Sequence, residues 1–325
     1  MPLVLAELDG ATIGEAADLV AAEHADARRT CPELPRSYGE PSSCAGALRH
    51  LLDTGHRGLL AMDRGRPVAL MTATVRDVRA VGRYARLPAE GLAVHPELPD
   101  PTTVLATVYA ELAGALIADG VRRHYLLHVA RPVLAEALSN IGFSRDGVYA
   151  ARQVAPPPAR RSGVRVREAG PDDLETVARL AQVEIRHRGT PPMFTPLDDR
   201  PVADLLAEHR DLRERGAVHF IATIDGLDAG LVTVEPASPA PRLCGSGQPY
   251  IGATATLPEA RRKGVAGALV DAALDWASRR GYATVSVDFN SANPLSRPFW
   301  LGAGFRPTGY GLMRVIDPAY HPPGT

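Results

Sequence analysis

The sequence predicts an α/β (α+β) fold built twice in tandem, and three observations carry this. The chain has 325 residues, a little over twice the roughly 150 residues of a typical single domain. Strand-like and helix-like periods alternate in the same order in both halves. A set of residues also recurs at one fixed spacing: Pro96-Glu97 with Pro258-Glu259, Pro132 with Pro294, Gly142-Phe143 with Gly304-Phe305, Gly147 with Gly309, and Arg152 with Arg314, each pair 162 positions apart, as 142 is from 304. A register held without gaps from Pro96 to Arg152 marks a duplicated domain.

The elements of the first half follow in order. Residues 1–10 carry a short apolar strand, and an amphipathic helix follows near Ile13 to Glu23. Leu59 to Met62 and Val68 to Val75 flank the turn cluster Asp63-Arg64-Gly65-Arg66 and read as a hairpin. Gly91 to Val94 reads as a further strand. Val104, Val108, Leu112 and Leu116, four apart, predict a helix over Thr103 to Asp119, then a strand over Tyr125 to Val129. A short helix near Val133 to Asn140 and a strand from Val148 to Val154 close this domain, residues 1–154.

Ala155-Pro156-Pro157-Pro158-Ala159-Arg160-Arg161-Ser162 reads as a linker at 155–162, because consecutive prolines forbid helix and favour an extended spacer. The second domain, 163–325, repeats the order. It has a strand at Val164 to Arg167, helices at Pro171 to Glu184 and Val202 to Glu214, and hairpin strands Val218 to Ile224 and Gly230 to Glu235 around Asp225-Gly226. A small-residue strand near Thr254 then enters a helix through a glycine-bearing loop. A strand at Thr284 to Phe289, a short helix at Leu295 to Leu301 and a strand at Gly311 to Ile316 complete it.

Composition narrows the classes. A hydrophobic fraction of 45% and a charged fraction of 22% are ordinary for a globular protein and exclude a disordered chain. A net charge of −1 without long like-charge blocks argues against nucleic acid or an anionic membrane as partner. No window reads as a membrane span, and the N-terminus lacks a basic signal-like region. Cys31, Cys44 and Cys244 are odd in number and lack C-x-x-C spacing, so neither a disulfide framework nor a metal site is expected. The expectation is a cytoplasmic protein, monomer or homodimer.

Arg261-Arg262-Lys263-Gly264-Val265-Ala266 fits R-x-x-G-x-A at the mouth of the predicted helix. First-turn N–H groups without intrahelical partners, the helix dipole and three cationic side chains together suit a pyrophosphate. At the repeat register the first half has Pro99-Asp100-Pro101-Thr102-Thr103-Val104, which lacks the glycine and the cations and adds an acid. Opposite Asn293 it has Arg131. The first copy therefore reads as a degenerate domain that keeps the scaffold without this loop.

The strand, the R-x-x-G-x-A loop and helix, the strand leading to Asn293, and Phe299-Trp300 followed by Gly304-Phe305 resemble the GNAT superfamily of acyl-coenzyme A-dependent N-acyltransferases. The whole chain resembles a tandem GNAT protein. The resemblance implies two mixed, mostly antiparallel sheets flanked by helices, with two central strands splayed into an acyl-CoA cleft. It implies acetyl-CoA as acyl donor, a small-molecule amine as acceptor, direct transfer in the C-terminal domain and no metal. The pyrophosphate would sit on the N–H groups of Arg262 to Ala266, with Arg261, Arg262 and Lys263 supplying charge. The arm would lie along Ala255, Thr256 and Leu257, with Asn293, Ser296 and Trp300 on the far side.

Some members of the superfamily place a carboxylate at the position of Asp288, twelve residues before a tyrosine that protonates the leaving thiolate. Asp288 is the first candidate base and Glu235 the second. The twelfth residue here is Trp300, which cannot serve as that acid, so Tyr250, Tyr310 or solvent must. Glu184, Arg186, His187 and Arg188 read as a solvated helix end and His219 as a structural histidine. The rival readings are an acyl-CoA decarboxylase or thiol or hydroxyl acyltransferase on the same scaffold, and a non-catalytic acyl-CoA-binding regulatory module.

Overall fold

The computed structural model describes residues 3–79, 81–154, 163–196 and 200–320; the expected linker at 155–162 lies outside them. The chain folds as β1 (Val4–Glu7), α1 (Ile13–Thr30), α2 (Pro41–Asp53), β2 (Arg57–Asp63), β3 (Arg66–Val78), β4 (Gly82–Leu87), β5 (Leu92–Val94), α3 (Pro101–Ala118), β6 (Arg123–Val129), α4 (Pro132–Asn140) and β7 (Ser144–Gln153). It continues with β8 (Arg165–Glu168), α5 (Leu174–Arg188), α6 (Val202–Glu214), β9 (Val218–Ile224), β10 (Leu227–Glu235), α7 (Pro241–Cys244), β11 (Tyr250–Thr256), α8 (Val265–Arg279), β12 (Thr284–Asn290), α9 (Ser296–Gly302) and β13 (Arg306–Val315).

The compact units are not contiguous in sequence. The first comprises Met1–Tyr149, Ala240–Gly245 and Pro307–Thr325; the second comprises Ala150–Pro239 and Ser246–Arg306. In the first, the strands run β1-β2-β3-β4-β6-β13, with β5 paired to β3. The pairing is antiparallel except for β4 on β6, where Ala85 faces His124. The register slips between Ala61 and Met62, opposite Pro67, a residue that has no N–H to give to a ladder. Alternation along β2 and β3 divides the core. Leu60 and Leu70 pack under α1 and α2, whereas Ala61, Ala69 and Met71 share a cluster with Leu105, Val108 and Leu112 of α3.

By length and composition α3 is apolar enough to cross a membrane, with a mean hydropathy of 1.4 over 18 residues, which corrects the expectation that no window reaches that mark. Its core-facing stripe of Leu105, Val108, Tyr109, Leu112 and Leu116 is buried in the first unit, as in a core helix of a layered α/β domain. The sequence also left α2 and β4 unassigned. Serine, glycine and cysteine at the start of α2 blur its period, and the alternation of β4 is interrupted by Gly82 and two arginines.

In the second unit the strand order β8-β9-β10-β11-β12 repeats that of β1-β2-β3-β4-β6. The helix α5 packs over Ile221, Leu231 and Ala255, burying Val177, Leu180 and Ala181. The closing strands are exchanged between the repeats. β13 comes from the second repeat, yet it pairs with β6 of the first unit, Gly309 facing Val129; β7 passes into the second unit at Ala150. Two repeat-related arginines mark the exchange. Arg314 Nη1 donates to the Ile141 carbonyl within the first unit, and Arg152 Nη1 donates to the Ala303 carbonyl at 2.6 Å within the second. Each guanidinium satisfies a helix-end carbonyl that lacks an intrahelical partner.

Candidate active site

The loop that leads into α8 in the second unit is shaped by two left-handed residues. A short 3-10 turn, Pro258–Ala260, delivers Arg261 in an extended conformation. Arg262 then takes φ 61° and Gly264 φ 85°, with Gly264 as the N-cap of α8. A left-handed arginine costs on the order of 1–2 kcal/mol, so this backbone is held against its preference by what surrounds it. Such alternation turns successive N–H groups toward one point and makes an anion-binding concavity. Helix bonding begins only with Ala268 N–H on the Gly264 carbonyl at 3.0 Å, so the earlier N–H groups of α8 remain for a ligand. Arg262 and Lys263 are exposed, Arg261 is half-buried, and buried Val265 pins the helix start.

Gly264→Val would force a β-branched residue into the left-handed region. If the loop holds the pyrophosphate that the sequence resemblance implies, the expected result is about a tenfold or greater loss of affinity in isothermal titration with acetyl-CoA, from strain of about 1–3 kcal/mol. Unchanged affinity would count against this loop as the anchor.

Next to the loop, β11 and β12 separate. Their parallel pairing is confined to Tyr250 with Ser286 and Ile251 with Val287. On its other edge β11 bulges against β10, the register slipping between Val232 on Thr254 and Val234 on Ile251. Gly252 and Ala253 occupy the bulge, a device that re-aims backbone groups. The edge of β11 beyond Ile251 is thus free of β12 and suited to an extended ligand that adds as a strand.

Glu235 ends β10 and its carboxyl lies over Gly252, where a Cβ would come within 2.0 Å of Oε1. Burial, reinforced by the negative charges of Glu208 and Asp288 and opposed by Arg215, pushes Glu235 up to about 7. Asp288 on β12 accepts the Tyr250 hydroxyl. Asp288 is exposed to water. Desolvation raises its pKa, countered by the Tyr250 bond and by Arg188.

Two further groups reach this cleft from α5. Glu184 pairs with Arg188 at 2.9 Å, and burial together with the charge of Asp288 raises its pKa above the usual range. Burial and the charge of Arg261 lower the pKa of His187, opposed by the hydrogen bond of its ring to the Asn293 side chain. Its Nε2 is buried without a partner among the described residues. Arg186 and Arg188 are exposed, as a solvated helix end requires, whereas Glu184 and His187 are partly buried. The missing signal is spatial: the end of α5 meets β11 and the start of α9, which no local pattern encodes.

The remaining sequence candidates divide. Asn293 is buried, and its Oδ1 accepts from Leu295 N–H at 2.9 Å and Ser296 N–H at 3.1 Å, so it shapes the start of α9 as well as meeting His187. Ser296 Oγ and Thr256 Oγ1 are buried without partners among the described residues. Ala255 packs beneath α5, and Leu257 N–H donates to the Ala229 carbonyl at 2.9 Å. Trp300 is buried to 3% exposure between Phe299 and Phe305, a core position. Tyr310 departs from its expected place. The exchanged β13 carries it into the first unit opposite His128, with the Arg145 guanidinium 3.9 Å from its ring centroid. Among the described residues no group of three side chains could hold a metal ion.

The equivalent features of the first unit are filled by its own side chains. Asp100 caps α3, accepting from Thr103 N–H at 3.0 Å, so a carboxylate sits where the second unit presents its anion loop. Along β5, the repeat counterpart of the free edge of β11, the Arg242 guanidinium donates to the Leu92 carbonyl at 2.6 Å. Glu23 Oε1 accepts from Val94 N–H at 3.2 Å, and Arg131 Nη1 donates to the same oxygen at 3.1 Å.

With this geometry in hand, comparison with known proteins is informative. The model of the acetyltransferase (GNAT) family matches residues 183–305. No curated protein matches the chain. Among solved structures, a tandem GNAT protein from the clavulanic acid biosynthesis pathway aligns over 98% of this chain and 100% of its own, at 17% identity and a TM-score of 0.56. A GCN5-related N-acetyltransferase from Sphaerobacter thermophilus aligns over 98% of both chains, at 20% identity and a TM-score of 0.64. At these identities the likeness concerns the fold, which is that of a tandem GNAT protein.

Proposed function

We propose that the chain moves an acetyl or other short acyl group from acyl-CoA to an amine of a small-molecule acceptor, with the chemistry in the second unit. The observation that carries this reading is the Glu235 carboxyl, set over Gly252 at the bulge of β11 with a pKa near 7, beside a strand edge left free for an extended ligand. The loop from Arg261 to Ala266 would hold the pyrophosphate, and β11 would hold the arm. The first unit, whose helix start and strand edge are taken by Asp100, Arg242 and Glu23, would bind no acyl-CoA.

In the proposed step the neutral amine attacks the thioester carbonyl, the C–N bond forms and the proton leaves nitrogen for Glu235. A carboxylate with a pKa near working pH is well matched to take it. Collapse breaks the C–S bond and releases the thiolate, which takes a proton from solvent. The sequence ranks Asp288 first as base. The geometry favours Glu235, because the Tyr250 hydroxyl already donates to Asp288, which stabilises its charge and lowers its basicity. Asp288 then assists by raising Glu235.

Calorimetric titration of the whole chain with acetyl-CoA, followed by thiol release with a panel of amines, tests the reading. Absence of acetyl-CoA binding would reject it. Binding without turnover leaves a non-catalytic module, and product mass separates acyl transfer to nitrogen from decarboxylation or transfer to sulfur or oxygen.

A further inference from the structure

The six residues Ala240–Gly245 lie in the second repeat and fold into the first unit. Of their approximate counterparts in the first repeat, between β3 and β4, Val78, Arg79, Gly82 and Arg83 are exposed. In the second repeat the same stretch becomes the short helix α7, with Leu243 and Cys244 in the hydrophobic core of the first unit. Arg242 is wholly buried. Its Nη1 donates to the carbonyls of Ala89 and Leu92, both at 2.6 Å, and its Nη2 donates to Glu23 Oε2 at 2.8 Å. Its own N–H donates to Glu90 Oε1 at 3.0 Å. Glu23 is fixed in turn by Arg131. A buried, multiply bonded guanidinium of this kind is costly to move.

This segment is also a tether. Five positions before Ala240 stands Glu235, and five positions after Gly245 stands Tyr250, whose hydroxyl donates to Asp288. We infer that Arg242 is a positioning residue for the Glu235–Tyr250 pair: by locking α7, it fixes the middle of the loop that joins Glu235, the last residue of β10, to its cross-strand partner Tyr250, the first of β11. The inference rests on the reading of Glu235 as base.

The test uses the full chain in three forms: unaltered, Arg242→Met, and a variant with two glycines inserted between exposed Pro236 and Ala237. The insertion leaves every bond of Arg242 intact and slackens only the tether. Three quantities are read: acetyl-CoA affinity by calorimetry, kcat and acceptor KM, and the titration midpoint of the Glu235 carboxyl by ¹³C NMR, assigned with Glu235→Gln. The groups that set this midpoint are Glu208, Asp288 and Arg215.

In both variants the midpoint is expected to fall by about one pH unit or more as water reaches the carboxyl, and acceptor KM to rise about tenfold. Acetyl-CoA affinity should stay within about twofold, which a general loss of structure would not allow. An unchanged midpoint and an unchanged acceptor KM in a folded variant overturn the inference; if Arg242→Met does not fold, the insertion decides by the same criteria. Failure of the functional reading looks different: the unaltered chain then shows no turnover with any amine, and the midpoint alone judges the anchor.

Discussion

Glu235→Gln is expected to lower kcat by about two to four orders of magnitude while leaving acetyl-CoA affinity nearly unchanged, because it removes the base and keeps the shape. In the unaltered enzyme, kcat/KM should rise with pH along an acid limb with a midpoint at about 7, where Glu235 loses its proton. That limb should vanish in the variant. Asp288→Asn should have a milder effect and move the limb downward, since a neutral neighbour no longer raises Glu235. Steady-state rates between pH 5.5 and 9 decide the matter. A limb that survives Glu235→Gln would transfer the role of base to another group, with Asp288 the first to examine.

The second large effect concerns stability. His24, His128, His209 and His219 are buried and held neutral. Desolvation is the leading cause in each, lowering His24 to about 3 and the other three to about 4 from an ordinary 6.5. Above pH 6.5 these rings are neutral both folded and unfolded, and their contribution to stability is complete. Below it the unfolded chain takes up protons that the folded chain refuses. Each ring then costs about 1.4 kcal/mol per pH unit until its folded pKa is reached.

His209 and His219 stand 5.1 Å apart between ring centroids, so a proton on one opposes a proton on the other and their costs are not independent. Urea midpoints are expected to fall steeply from pH 7 to pH 5, and His209→Gln should flatten part of the slope. A midpoint level across that range would show that these rings are not buried in solution.

Much of this was legible in the sequence. The 162-residue register identified the repeat, and the hairpins and α3 were written in periodicity and turn chemistry. The glycine of R-x-x-G-x-A marks the turn into α8, where Gly264 takes φ 85°. The character of Glu235 was not legible, because its environment is made by Gly252 on another strand and by carboxylates on α6 and β12. Tyr310 was misplaced for a related reason. Its strand has an ordinary pattern, and nothing local states which of two equivalent sheets it joins. The burial of Arg242 has no local signal, since it depends on partners some 150 to 220 positions away.

The exchanged strand gives the two units different histories during synthesis. A chain leaving the ribosome generally folds domain by domain from its N-terminus, yet the first unit needs Ala240–Gly245 for its core and β13 for its sheet. It cannot close until more than three hundred residues have been made, whereas the second unit has all its strands by Asn290. The half translated first is therefore finished last, and until then the edge of β6 is open to pairing with other chains. Growth of the nascent protein past Val315, rather than past the end of the first repeat, is the event that removes that hazard.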